Sequence, residues 1–145
     1  MEQLLRAIAQ WWDSDDAPKE YLPGGMWLVE APEDVLDSGA AYGVFFPVAG
    51  TSDNTTTSRI ESPIIQFSLF STSDESEESD NPVWKARDQL IASLDDNLLT
   101  MEASGENKPQ RMFEMRRLDH GTLVKDPDEG YSIVLQYQVQ YTTDK

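Results

Sequence analysis

Residues 131–143, YSIVLQYQVQYTT, place Tyr131, Ile133, Leu135, Tyr137, Val139 and Tyr141 on one side of an extended chain and Ser132, Val134, Gln136, Gln138 and Gln140 on the other. Side chains of a strand point alternately to the two faces of its sheet, so this segment reads as a strand with one face in a core and the other polar. Immediately before it, Asp126-Pro127-Asp128-Glu129-Gly130 is a turn, and Asp119-His120-Gly121 is another. Both consist of residues that favour turn geometry. Residues 111–118 between an upstream helix and these turns read as a further strand.

Upstream, Asn81-Pro82 is a strong helix start. Asn can cap the free N–H groups, and proline occupies the first helical position, where its missing donor costs nothing. The helix places Val83, Trp84, Leu90, Ile91, Leu94 and Leu98 on one side and Lys85, Asp88, Asp95 and Asp96 mostly on the other, ending before Gly105. Residues 59–71 alternate at Ile65, Phe67 and Leu69 against Gln66 and Ser68, and residues 42–46 are β-prone up to Pro47, a strand end or edge. The polar tip 53–58 joins these two strands into a long hairpin. Met26-Trp27-Leu28-Val29-Glu30, after Pro23-Gly24-Gly25, is a short strand, and Leu4, Leu5, Ile8, Trp11 and Trp12 form the apolar stripe of a short N-terminal docking helix. The order predicts an α+β domain: a largely antiparallel four- to five-stranded sheet packed against two helices. A length of 145 residues suits one domain spanning 1–145.

Composition narrows the function. Eleven Lys and Arg against 27 Asp and Glu leave a net charge of −16, a field that repels nucleic acid and anionic lipid. No apolar stretch is long enough to cross a membrane, and the N-terminus lacks the pattern of a cleaved leader, so no membrane association is expected. The absence of cysteine excludes disulfides, thiolate catalysis and Cys-ligated zinc, and a single histidine excludes multi-His metal sites. His120 has no Ser or Cys partner at recognisable spacing and reads as an exposed turn residue. No carboxylate pair lies in an apolar setting that would raise its pKa, and the glycines form no phosphate-binding pattern. Trp11, Trp12 and Trp84 could stack a ligand, but helical spacing places such residues in cores. These observations predict no catalytic residues, no metal and no cofactor.

Charge is also distributed unevenly. Residues 38–52, 62–71 and 131–143 hold no charged side chain, although 26% of the chain is charged. Two helices cover one face of a sheet, so the face with Gln66, Ser68, Gln136, Gln138 and Gln140 should be open in a monomer. Exposed sheet faces normally carry Lys and Glu. Uncharged amides suit a surface that meets another protein without desolvating ions, which makes these five residues candidate subunit-interface positions. The alternative is that Gln and Thr simply tolerate β-structure. Residues 72–81 are an acidic, serine-rich segment with nothing to bury, expected as a mobile loop. It could attract Ca²⁺ weakly, yet it lacks the glycine and spaced oxygens of a calcium loop.

The short N-terminal helix, the Pro23-Gly24-Gly25 approach, Tyr42-Gly43-Val44-Phe45-Phe46, and the strand from Glu61-Ser62-Pro63-Ile64-Ile65 to Ser71 together resemble the tail completion, or tail terminator, proteins of long-tailed bacteriophages. The second half agrees, with a helix resembling 86–99 and a closing pattern like Glu129-Gly130-Tyr131-Ser132-Ile133-Val134-Leu135-Gln136-Tyr137-Gln138-Val139. The acidic loop and the Trp11-Trp12 pair depart from that family. The resemblance implies a structural role: subunits close into a ring, usually hexameric, that caps the tail tube and joins it to the head connector. Implied partners are further copies of the chain, the tail tube protein and the head-tail connector proteins. Implied locations are the virion's head–tail junction and, during assembly, the host cytoplasm. An acidic lumen would let DNA pass without binding it specifically. The hairpin tip and the acidic loop, with Asp53, Asn54, Asp74, Glu75, Glu77 and Glu78, are the candidate contacts to the tube, lumen or connector.

Two other readings come from different classes. One is an acidic dimeric secretion chaperone that binds an extended effector segment; those proteins usually end in an additional helix, and here the sequence stops four residues after Tyr141. The other is a DNA-mimicking inhibitor, which needs carboxylates arrayed along structured faces, whereas the densest cluster here is the expected loop.

Overall fold

The computed structural model describes residues 2–14, 19–54, 58–71, 82–101, 110–119, 121, 123–126 and 130–144. In chain order the elements are α1 (Glu2–Asp13), β1 (Met26–Leu28), α2 (Glu33–Ser38), β2 (Tyr42–Asn54), β3 (Ser58–Ser71), α3 (Pro82–Leu94), β4 (Gln110–Arg117), β5 (Val124–Asp126) and β6 (Gly130–Asp144). The sheet runs β1-β2-β3-β6-β4, with β5 paired to β6 off this path. Only the β1–β2 pairing is parallel. The chain is thus an α+β domain with a largely antiparallel sheet.

The alternation of β6 fixes which face is inward. Tyr131, Ile133, Leu135, Tyr137, Val139 and Tyr141 are all buried, and the register places Leu135 beside Phe67 and Ile133 beside Leu69. Above this face α1 contributes Leu4, Ala7, Ile8, Trp11 and Trp12, and α3 contributes Val83, Ala86, Leu90 and Leu94. Trp11 and Trp12 meet edge to face, ring centroids 6.1 Å apart, so the N-terminal helix is anchored by core aromatics. No described helix is long and apolar enough to cross a membrane.

Two prolines show how the sheet accommodates a missing donor. Pro47 sits where β2 has run past β1 and has no neighbour on its outer side, and β2 shifts register between Pro47 and Ala49. Pro63 lies inside β3, and the β3–β6 pairing skips Ser62 and Pro63 there.

Four sequence expectations need correction. A third helix, α2, adds to the two expected: Pro32 precedes it in an extended conformation, Glu33 and Asp34 favour the positive end of its dipole, and Gly39 ends it at φ 75°. A sixth strand, β5, continues along β6 where β4 leaves it. Helix α3 ends at Leu94 rather than running to Leu98, which is 54% exposed; Leu99 is buried instead. Asp53, Asn54 and Ser58 are strand residues rather than part of a tip.

Gly121 marks the point where the chain passes from β4 to β5. Its φ is 77°, and a Cβ there would stand 3.0 Å from the Val134 carbonyl oxygen, so any other residue would be both strained and crowded.

Candidate functional site

The sheet face opposite the helices carries polar but mostly uncharged side chains. Pleat alternation places Tyr42, Val44 and Phe46 of β2, Gln66, Ser68 and Phe70 of β3, and Ser132, Val134, Gln136, Gln138 and Gln140 of β6 on it. The register aligns Val44, Ser68 and Val134 in one row and Phe46, Gln66 and Gln136 in the next. Tyr42 stacks on Phe70 with centroids 5.2 Å apart.

The sequence expectation treated the amides of this face as free to pair with another surface. The structure has them engaged with each other. Gln136 Nε2 donates to Gln66 Oε1 at 3.1 Å, Gln66 Nε2 donates to Ser68 Oγ at 3.0 Å, and Gln140 Nε2 donates to Ser62 Oγ at 3.2 Å. Gln138 Oε1 accepts from Arg116 Nη2 on β4. Ser68 is buried, and the four glutamines are half-buried. Each amide still has hydrogen-bonding capacity beyond these contacts. The face therefore offers a pre-ordered polar ladder flanked by aromatic and valine side chains rather than a set of mobile amides.

Asp53 and Asn54 close the far end of β2, paired in register with Ile60 and Arg59. Asp74, Glu75, Glu77, Glu78 and His120 lie outside the described residues. Among the described residues no group of three His, Cys, Asp or Glu could hold a metal ion.

The two sheet edges differ in a way that periodicity did not reveal. At one edge β1 presents Leu28, 47% exposed, followed by Val29, 64% exposed. Val29 has φ 66°, and the Glu30 N–H donates to the Leu28 carbonyl at 2.7 Å, a tight turn that is costly for a β-branched residue. Between this edge and α1 lies an open groove of about 460 Å³, lined by Glu2, Leu5, Arg6, Ala9, Leu28 and Phe45. At the other edge β4 bulges between Met112 and Glu114, leaving Phe113 42% exposed, and carries Arg111, Arg116 and Arg117.

One polar cluster lies between the helix layer and the sheet. Tyr137 Oη donates to Asp95 Oδ1 at 2.6 Å, and Arg117 Nη2 reaches Asp95 Oδ2 at 3.1 Å. Asp95 was expected on the solvent side of α3. Because the helix stops at Leu94 and Asp96 turns with φ 58°, its carboxylate faces β4 and β6 instead. Removing that carboxylate leaves a buried phenol without its acceptor. Asp95→Ala is therefore expected to lower stability by about 1–3 kcal/mol in urea denaturation. Asp37→Ala, on exposed α2, should stay within about 0.5 kcal/mol.

No protein-family model matches this chain. No curated protein matches it. A similar solved structure is a chain from the virion of a native gene transfer agent (GTA) particle, 11% identical, with a TM-score of 0.71 over 97% of this chain and 93% of that one. At that identity the likeness is one of fold.

Proposed function

We propose that this chain is a structural subunit of a phage-like virion and acts as a tail terminator. In this reading copies of the chain close into a ring of about six subunits that caps the tail tube and joins it to the head connector. The likeness of fold to a gene transfer agent virion chain, over nearly the whole of both chains, carries the reading. The uncharged face with its glutamine ladder supports it as a surface on which protein can meet protein without desolvating ions. A ring multiplying a net charge of −16 would pass DNA through its lumen without holding it. The role requires no catalytic residue, metal or cofactor, and it places the chain at the head–tail junction after assembly in the host cytoplasm.

The test is light-scattering mass after size exclusion, at several protein and salt concentrations, with negative-stain images of any large species. Closed rings of about six subunits with a central hole are expected, favoured as salt screens the like charge of approaching subunits. A tight dimer at every concentration would favour the chaperone reading instead. A monomer throughout that also fails to cap added tail tubes would overturn the terminator role.

A further inference from the structure

The two edges of the sheet are complementary. Residues 20–58 contain no Lys or Arg, and within them Glu30, Glu33, Asp34 and Asp37 are all exposed on α2 and the turn before it. Helix α2 sits beside the start of β1, with Val35 Cγ1 3.1 Å from where a Gly24 Cβ would stand. Trp27, Leu28 and Val29 of the β1 segment and Leu36 of α2 are exposed, so these elements present apolar and acidic side chains together.

The opposite end has the reverse character. Strand β4 carries three of the eleven cations of the chain. Arg117 is held by Asp95, and Arg116, though exposed, already donates to Gln138 and lies 3.7 Å from Glu114, so Arg111 is the cation presented outward beside this pair. Phe113 and Leu118 supply exposed apolar area beside them. The β4 edge is interrupted by its bulge, whereas β1 presents Trp27, Leu28 and Val29 without one, next to the exposed Glu30.

We infer that the occupant of the β1–α2 edge is the β4 edge of a second copy of this chain, so that copies join head to tail; the inference rests on the ring reading above and names its contact. A two-fold contact would set four acids against the same four acids. A head-to-tail contact sets them against Arg111 and Arg116 and covers apolar side chains from both ends. Because the patches lie at opposite ends of the strand order, each copy can use both at once. Gln138 and Gln140 border β4 and would lie beside the contact, whereas Gln66, Ser68 and Gln136 at the middle of the face stay available to other virion proteins.

The chain has no cysteine, so single thiols can be placed cleanly. Leu28→Cys and Phe113→Cys alter exposed positions and should leave the fold intact. With a short bis-maleimide, a mixture of the two variants is expected to cross-link into a dimer, and the double variant into a ladder ending at the ring size. Either single variant alone should remain uncross-linked. Self-linking of one variant would overturn the head-to-tail contact in favour of a two-fold one. Ring-sized particles that give no cross-link would overturn the edge assignment while leaving the ring; absence of any association would overturn both. As a second readout, R111E/R116E should weaken association at least tenfold, with recovery when mixed with E33K/D34K. No recovery together with unchanged association of either variant alone would also overturn the contact.

Discussion

Phe67→Ala is expected to lower the free energy of unfolding by about 3–5 kcal/mol, a large part of the roughly 5–15 kcal/mol that holds a domain together. Phe67 is fully buried in β3, an interior strand. Its ring stacks near Phe45 of β2 at 6.2 Å and meets Tyr137 of β6 edge-on at 6.0 Å. Backbone pairing fixes both neighbouring strands, Phe45 beside Phe67 on one side and Leu135 on the other, so the lining cannot collapse to fill the space. The lost transfer free energy and the cavity cost therefore add. Urea denaturation should show a lower midpoint with an unchanged slope. Phe113→Ala is the contrast: that ring is exposed at the β4 bulge and its loss should change stability by less than about 1 kcal/mol. A Phe67→Ala effect equal to that of Phe113→Ala would mean that the core is not centred on β3 and β6.

That contrast also explains what the sequence could reveal. Period-two alternation in β6 and at Ile65, Phe67 and Leu69 identified the inward face because one-sided burial imposes the period. The stripe of α1 and the Pro82 start of α3 were equally readable, since each reflects a local rule. Helix α2 was missed because all six of its residues escape full burial, leaving no periodic signal, although Pro32, the two acids after it and Gly39 mark its ends. The amide ladder and the Asp95 cluster were invisible for another reason. Gln66 and Gln136 are 70 positions apart, and Asp95 and Tyr137 are 42 apart, so their pairing depends on strand order and register rather than on any local pattern. The complementary edges belong to the same class. Arg111 and Leu28 become opposite ends of one surface only once the order β1-β2-β3-β6-β4 is known.

Alkaline pH should unfold this protein steeply, through two tyrosines. Burial pushes the Tyr137 phenol well above the ordinary tyrosine value of about 10, and its hydrogen bond to the Asp95 carboxylate pushes it further, against a smaller opposing pull from Arg117. Burial also raises Tyr141, with the negative charge of Glu61 adding to it. Below about pH 10 both phenols are protonated in the folded and unfolded chain alike, so their contribution is fully present. Above it the unfolded chain releases both protons while the fold retains them, and stability falls as pH rises toward the folded values. Each retained proton costs about 1.4 kcal/mol per pH unit, so Tyr137 should remove about 1.4 kcal/mol for each unit above pH 10, and Tyr141 adds to the fall until its own raised value is passed. Denaturation midpoints measured from pH 8 to 12 should be flat with respect to these groups up to about pH 10 and then drop. Tyr137→Phe should begin from a lower plateau, because Asp95 loses its phenol donor, but decline less steeply. Phenolate absorbance, taken as the difference between the native chain and Tyr137→Phe/Tyr141→Phe, should rise together with the change in tryptophan fluorescence that reports unfolding. If that absorbance rose near pH 10 with the fold intact, the two phenols would be in contact with water, and the packing of α3 over β6 would have to be looser than the geometry around Asp95 requires.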